Sequence, residues 1–202
     1  MVNLMTVNPF GLKIDTNEIS DGAVTPDKVS SGIWRKIYEA TLESAANTIE
    51  LTNLSLTNGK MLRIIVDAPG PGFFPYFHIY INGDFNNSNY RYNRLSFSGS
   101  VGAASNRNPC FMQGNDLNSN AFDVTVVSLG SSDVSSRVLI FGHGWSRASY
   151  VGGTFPVYIF SVRYGYFVSN ITKITINSQD GEASGTLVNG FPQNTKIIVY
   201  QA

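Results

Sequence analysis

Apolar and polar residues alternate along most of this chain with a period of two. Phe77, Ile79 and Ile81 alternate with Tyr76, His78 and Tyr80, and a second run places Arg91, Asn93, Leu95 and Phe97 on one side. That spacing belongs to strands with two different faces. Between these runs, Asn82-Gly83-Asp84 has turn chemistry, because Asn and Gly tolerate positive φ and Asp can bond its own backbone. The pattern predicts a long β-hairpin over 76–97 with an asparagine-rich tip. Asn58-Gly59, set between Leu54–Thr57 and Lys60–Val66, predicts a second hairpin.

Further strands are expected at 37–42, 48–51, 110–113, 122–129, 137–141, 155–168, 171–177, 186–189 and 196–200. Residues 98–109 show no hydrophobic period and are expected to form a loop. No stretch carries a sustained helical stripe. Many short strands with turns at close intervals indicate a sandwich or barrel. The expectation is all-β: a jelly-roll-like antiparallel β-sandwich head over 33–202.

Residues 1–32 differ. Ile14, Ile19, Val24 and Val29 recur at a spacing of five, with Asp15, Asn17, Glu18 and Asp21 between them. That period fits neither helix nor strand. Several copies wound together could bury the stripe, which makes these four residues candidates for oligomerisation in a short extended neck. A floppy leader is the competing reading. Thr25-Pro26-Asp27-Lys28 reads as the capped start of a short helix that Gly32 would end.

Composition narrows the function classes. Charged residues make up 14% of the 202, against about 25% in an average soluble protein. Basic and acidic residues balance at 14 each, so no global field draws the chain to nucleic acid or to an anionic membrane. The lone Cys110 excludes an internal disulfide and a thiolate metal cluster; a buried small hydrophobe is its expected role. No apolar run is long enough to span a bilayer, and Met1–Thr6 lacks the form of a secretion signal. Synthesis in a cytoplasm is the expectation.

Three stretches resemble structural proteins of tailed bacteriophages. Ile81-Asn82-Gly83-Asp84, a short polar loop and Asn89-Tyr90 look like an element of minor structural proteins and fibre heads. Asn17–Val29 is similar to units of tail-fibre necks. Ile171–Ile176, Gly185-Thr186-Leu187 and Lys196–Tyr200 resemble the strand, turn and final strand that often close such heads. Residues 98–155 carry none of the resemblance. It implies a virion protein made in the host cytoplasm. The expected form is a homotrimeric tail-fibre or receptor-binding head that contacts other tail proteins and a host surface glycan. Alternatives are a capsid- or neck-attached structural protein without a receptor role, and a polysaccharide depolymerase.

Candidate chemistry favours binding over catalysis. Gly142-His143-Gly144-Trp145-Ser146 is not a nucleophile elbow, which needs Gly-x-Ser-x-Gly. His78 and His143 lack zinc-site spacing. Asp84, Asp116, Asp123, Asp133, Asp180 and Glu182 offer no carboxylate pair singled out by spacing for glycan cleavage. Asp84-x-Asn86-x-Ser88 lacks the glycine and glutamate of a calcium loop, so asparagine turn geometry explains it better. No enzyme, metal or cofactor is expected. Loop aromatics beside amides suit sugar binding. His143, Trp145, Arg147 and Tyr150 are read as sharing one loop, with Asp84, Asn86, Asn87, Asn115 and Asp116 in two others. Counting alternating strand directions puts the loops at 83–89, 114–120 and 143–155 at one end, as a shared site, and those at 68–72, 99–108 and 130–136 at the other. Packing of Trp145 in the core or an interface competes with this reading.

Overall fold

Strands form where the alternation is clearest, and the turns between them send the chain across two sheets. The computed structural model describes residues 34–202 apart from 72, 74, 98–100, 107, 115–119, 130–137, 147–156, 167 and 184. Ile14, Ile19, Val24 and Val29, with the expected neck, lie outside the described residues. The strands are β1 (Arg35–Thr41), β2 (Thr48–Leu51), β3 (Met61–Ala68), β4 (Tyr76–Ile81), β5 (Tyr90–Phe97) and β6 (Val101–Asn106). They continue with β7 (Cys110–Gln113), β8 (Asn120–Ser128), β9 (Val138–Ser146), β10 (Val157–Tyr164), β11 (Ile174–Gln179) and β12 (Lys196–Gln201).

One sheet has eight strands in the order β1-β12-β3-β8-β9-β10-β5-β6, and the other has four in the order β2-β11-β4-β7. Both are antiparallel, and they pack together as a β-sandwich. Early and late strands nest as partners: β1 with β12, β2 with β11, β3 with β8, and β4 with β7. The core between the sheets is aromatic at its centre. Phe77 of β4 lies 5.4 Å from Phe122 of β8 and 5.2 Å from Phe191, while Phe111 of β7 lies 5.1 Å from Phe122 and 4.9 Å from Phe160 of β10. Leu62, Ile64 and Val66 of β3, together with Val124 and Val126 of β8, are fully buried in the same cluster.

Neither expected hairpin forms, although both turns do. At Asn58-Gly59, Lys60 N–H donates to the Thr57 carbonyl at 3.1 Å, and Gly59 has φ +79°. Leu56 then bridges to Ile171 while β3 lies between β12 and β8. At Asn82-Gly83 both residues have positive φ, and Asp84 N–H donates to the Ile81 carbonyl at 3.0 Å. Here β4 stays in the four-stranded sheet while β5 joins the eight-stranded one. Turn residues dictate the local reversal; the partner of the next strand is chosen by burial.

Two further expectations need correction. Residues 101–106 form β6, paired with β5, where a loop was expected; Val-Gly-Ala-Ala-Ser-Asn offers no large alternating side chains to announce an edge strand held by backbone bonds. The segment 142–146, read as a loop, is the second half of β9. Its glycines serve close packing. A Cβ on Gly142 would lie 2.0 Å from the Asp123 carbonyl oxygen, and one on Gly144 would lie 2.4 Å from the Met112 sulfur. Glycine inside a strand marks such a close approach.

This distinguishes two glycines that look alike in sequence. Gly83 has φ +76° with nothing within 4 Å of an added Cβ, so Gly83→Ala should cost about 1 kcal/mol of backbone strain. Gly142→Ala should cost about 3 kcal/mol, because backbone must move. Urea unfolding of both variants checks the order; equal losses would contradict the packing assigned to Gly142.

Candidate functional site

The loop between β4 and β5 is tied down by its own polar side chains. Asp84 Oδ1 accepts from Asn86 N–H at 3.0 Å, and Oδ2 accepts from Asn89 Nδ2 and the Tyr164 hydroxyl, both at 2.7 Å. Burial alone would raise the Asp84 pKa; these three bonds outweigh it and hold the carboxyl below its ordinary value. Asn86 Oδ1 accepts from Ser88 N–H and Oγ, capping the 3-10 turn Asn87–Asn89. Asn87 accepts from the Tyr80 hydroxyl and donates to the Ala183 carbonyl at 2.7 Å. Asn82 Oδ1 accepts from the backbone of Thr172 and Lys173, and its Nδ2 donates to the Asn170 carbonyl. The asparagines thus serve the loop's own geometry.

His143 and Trp145 belong to a different surface. Both stand on the outer face of β9, pointing away from the four-stranded sheet, with their rings stacked 5.8 Å apart. Register builds the face in rows. Ile159 of β10 lies opposite Leu95 of β5 and His143 of β9, Val157 lies opposite Trp145, and Ser161 lies opposite Phe141 and Asn93. Leu95, Phe141, Trp145, Val157 and Ile159 are all exposed, Ile159 by 51%. Together they present on the order of 400 Å² of apolar side chain, a size at which surface patches mark interaction sites.

The expected shared site is not brought together. Tyr164, whose hydroxyl holds Asp84, lies seven residues along β10 from Val157, the partner of Trp145. At strand rise that separation is about 23 Å. The loop holding Asp84, Asn86 and Asn87 is therefore at the opposite end of the sheet from Trp145. Strand counting failed because 101–106 is a strand and not a loop: β6 adds one reversal of direction, which carries the ends of β7 and β9 to the side away from the Asp84 loop. Arg147, Tyr150, Asn115 and Asp116 lie outside the described residues.

Sequence reasoning missed a third feature. Arg91 of β5 and Arg163 of β10 are direct cross-strand partners on the outer face. With Ser88, Asn89, Gly165 and Tyr166 they line an open cavity of about 300 Å³. The alternation put Arg91 on one side with Asn93 and Leu95; only the register places Arg163 opposite it.

Cys110 and His78 are closed off from solvent. Burial pushes the Cys110 thiol up to about 12, which leaves it unreactive, and the residue is fully buried as the sequence led us to expect. His78 is fully buried too. Its Nε2 lies 3.1 Å from the Gly181 carbonyl, which can only accept, so Nε2 carries the proton. Nδ1 is left buried without a partner among the described residues. Tyr92 donates to Glu182, and Arg94 bonds the same carboxylate at 3.5 Å. Among the described residues no group of three or more His, Cys, Asp or Glu is placed to hold a metal ion. Comparison of the chain with protein-family models and with curated proteins returns no match.

Burial depresses His78 to about 4, so the folded protein resists protonation that the unfolded chain accepts near 6.5. The stability this neutral imidazole retains at pH 7 should be lost as pH falls from about 6.5 to 4, at most roughly 3 kcal/mol. His78→Gln should flatten that part of a melting-temperature profile. An unchanged slope would show that His78 does not cause it.

Proposed function

We propose that this chain is a non-enzymatic virion protein of a tailed bacteriophage, a homotrimeric tail-fibre or receptor-binding head that attaches to a host surface glycan. The observation that carries the assembly half is the outer face of β5, β9 and β10, where Leu95, Phe141, Trp145, Val157 and Ile159 meet solvent in register. A patch of this size is often functional, and a three-fold arrangement of copies would cover it. Among the described residues the strand partners of Trp145 are the apolar Ala121 and Val157, which suits assembly on this face better than sugar binding.

The fold agrees with this reading. The nested order β1-β12-β3-β8 over β2-β11-β4-β7 supports a jelly-roll winding, extended beyond β8 by the two inserted pairs β9–β10 and β5–β6. Low charge and the phage-like stretches at 17–29, 81–90 and 171–200 point the same way. The depolymerase reading finds less support. Asp84, Asp123 and Asp180 are committed to Asn89, Arg63 and Thr186, and Glu182 is committed to Tyr92 and Arg94. A structural virion protein without receptor contact would use the same apolar face, and cell binding separates the two.

Light scattering on the intact chain should give about three times 22.1 kDa. The double variant Leu95→Asp/Ile159→Asp should fall to one, since it places facing carboxylates in the middle of the patch. A wild-type monomer at micromolar concentration, or an unchanged trimer in the double variant, would overturn the assembly reading.

A further inference from the structure

Arg91 and Arg163 stand directly opposite one another on β5 and β10. In such pairs the Cβ atoms are about 5 Å apart, and like charges there destabilise a sheet. Four ion pairs occur among the described residues, and none uses either arginine. The nearby acid on the adjoining loop, Asp84, spends its oxygens on Asn86, Asn89 and Tyr164. Two guanidinium groups therefore line one open cavity with no carboxylate of the described chain bonded to them.

The rest of the lining narrows what would answer that charge. The cavity of about 300 Å³ is at the lower end for small-molecule sites, room for one sugar ring. Tyr166 lines it and is 57% exposed, offering a ring face and a hydroxyl. The Ser88 hydroxyl gives its proton to Asn86 Oδ1 at 2.8 Å, so its oxygen can accept from a ligand hydroxyl. Gly165 lies close to the loop, its N–H donating to the Asn89 carbonyl at 2.8 Å, which leaves this side of the cavity bare. Guanidinium forks match a carboxylate in two-pronged fashion. A long polyanion such as nucleic acid would need an extended basic stripe, whereas the net charge of this chain is +0.

We propose that this cavity binds a sugar bearing a carboxylate, a hexuronic-acid residue of an acidic surface glycan. The inference rests on the attachment reading and supplies its ligand class. Attachment passes from the β9 face, where the sequence placed His143 and Trp145, to the cavity at the other end of β10. Binding at each subunit would be weak, with several copies adding avidity.

Calorimetry on the full chain tests this with a glucuronic-acid-containing tetrasaccharide, its carboxyl-reduced neutral counterpart, and inorganic sulfate. The acidic sugar should bind, and both the neutral sugar and sulfate should bind at least about tenfold more weakly. Arg91→Gln and Arg163→Gln should each lower affinity by a similar factor while leaving the melting temperature unchanged or raised, since like-charge repulsion is relieved. Tyr166→Ala should weaken both sugars. Equal binding of the acidic and neutral sugars, retention of affinity in both arginine variants, sulfate binding as tightly as the sugar, or no heat with any ligand would each overturn the proposal. A trimer that binds none of them refutes this inference alone. A monomer that binds the acidic sugar refutes the assembly reading alone.

Discussion

The hydroxyl of Tyr90 joins the two sheets at the point where the chain crosses between them. It accepts from the Ile81 N–H at 2.9 Å and donates to the Asp84 carbonyl at 2.8 Å. The ring is fully buried, with Tyr80 at 5.7 Å and Tyr164 at 4.9 Å. A buried hydroxyl satisfied as donor and acceptor has one acceptable position, and losing it strands polar groups. Tyr90 is thereby fixed inward at the start of β5, opposite Tyr164. Every residue after it inherits its side: Tyr92 and Arg94 point in, while Arg91, Asn93 and Leu95 point out. A slip of one residue would exchange these sets, exposing Tyr90 and Tyr92 and breaking the bonds that the Tyr90 hydroxyl makes.

The outer face follows from that orientation and from the glycines of β9. Gly142 and Gly144 face inward against the Asp123 carbonyl and Met112, which lets β9 lie close upon the core. His143 and Trp145, between and beyond them, are sent outward beside Ile159 and Val157. One strand thus presents two arrangements, bare backbone inside and rings outside. Along β10 the outer face passes from apolar at Val157 and Ile159, through Ser161, to Arg163. An assembly surface and a charged cavity share one sheet face without overlapping.

Much of the sandwich was legible in the sequence because alternation is local. Phe77, Ile79 and Ile81 were placed on one side, and Arg91, Asn93 and Leu95 on another, from spacing alone. Pairing was not legible. Asn58-Gly59 and Asn82-Gly83 form the expected turns, yet each leads to a strand in another partnership, which depends on how Phe77, Phe111 and Phe122 meet across the sheets. Gly142 and Gly144 misled for a related reason: glycine punctuates loops and also permits close strand packing, and the difference lies in the neighbour's distance. Arg91 and Arg163 are 72 positions apart in sequence, and nothing short of the register reveals that they face each other.

The central claim, that the outer face of β5, β9 and β10 is covered in the assembled protein, can be followed at Trp145. The chain has two tryptophans, so Trp34→Phe isolates the signal of Trp145, which is 42% exposed in the single chain. Iodide quenching of its fluorescence should fall as concentration rises through the assembly range, because the neighbouring copy shields the ring. Quenching of Trp145 that stays constant while light scattering reports assembly would show that the copies meet elsewhere, and would contradict the account.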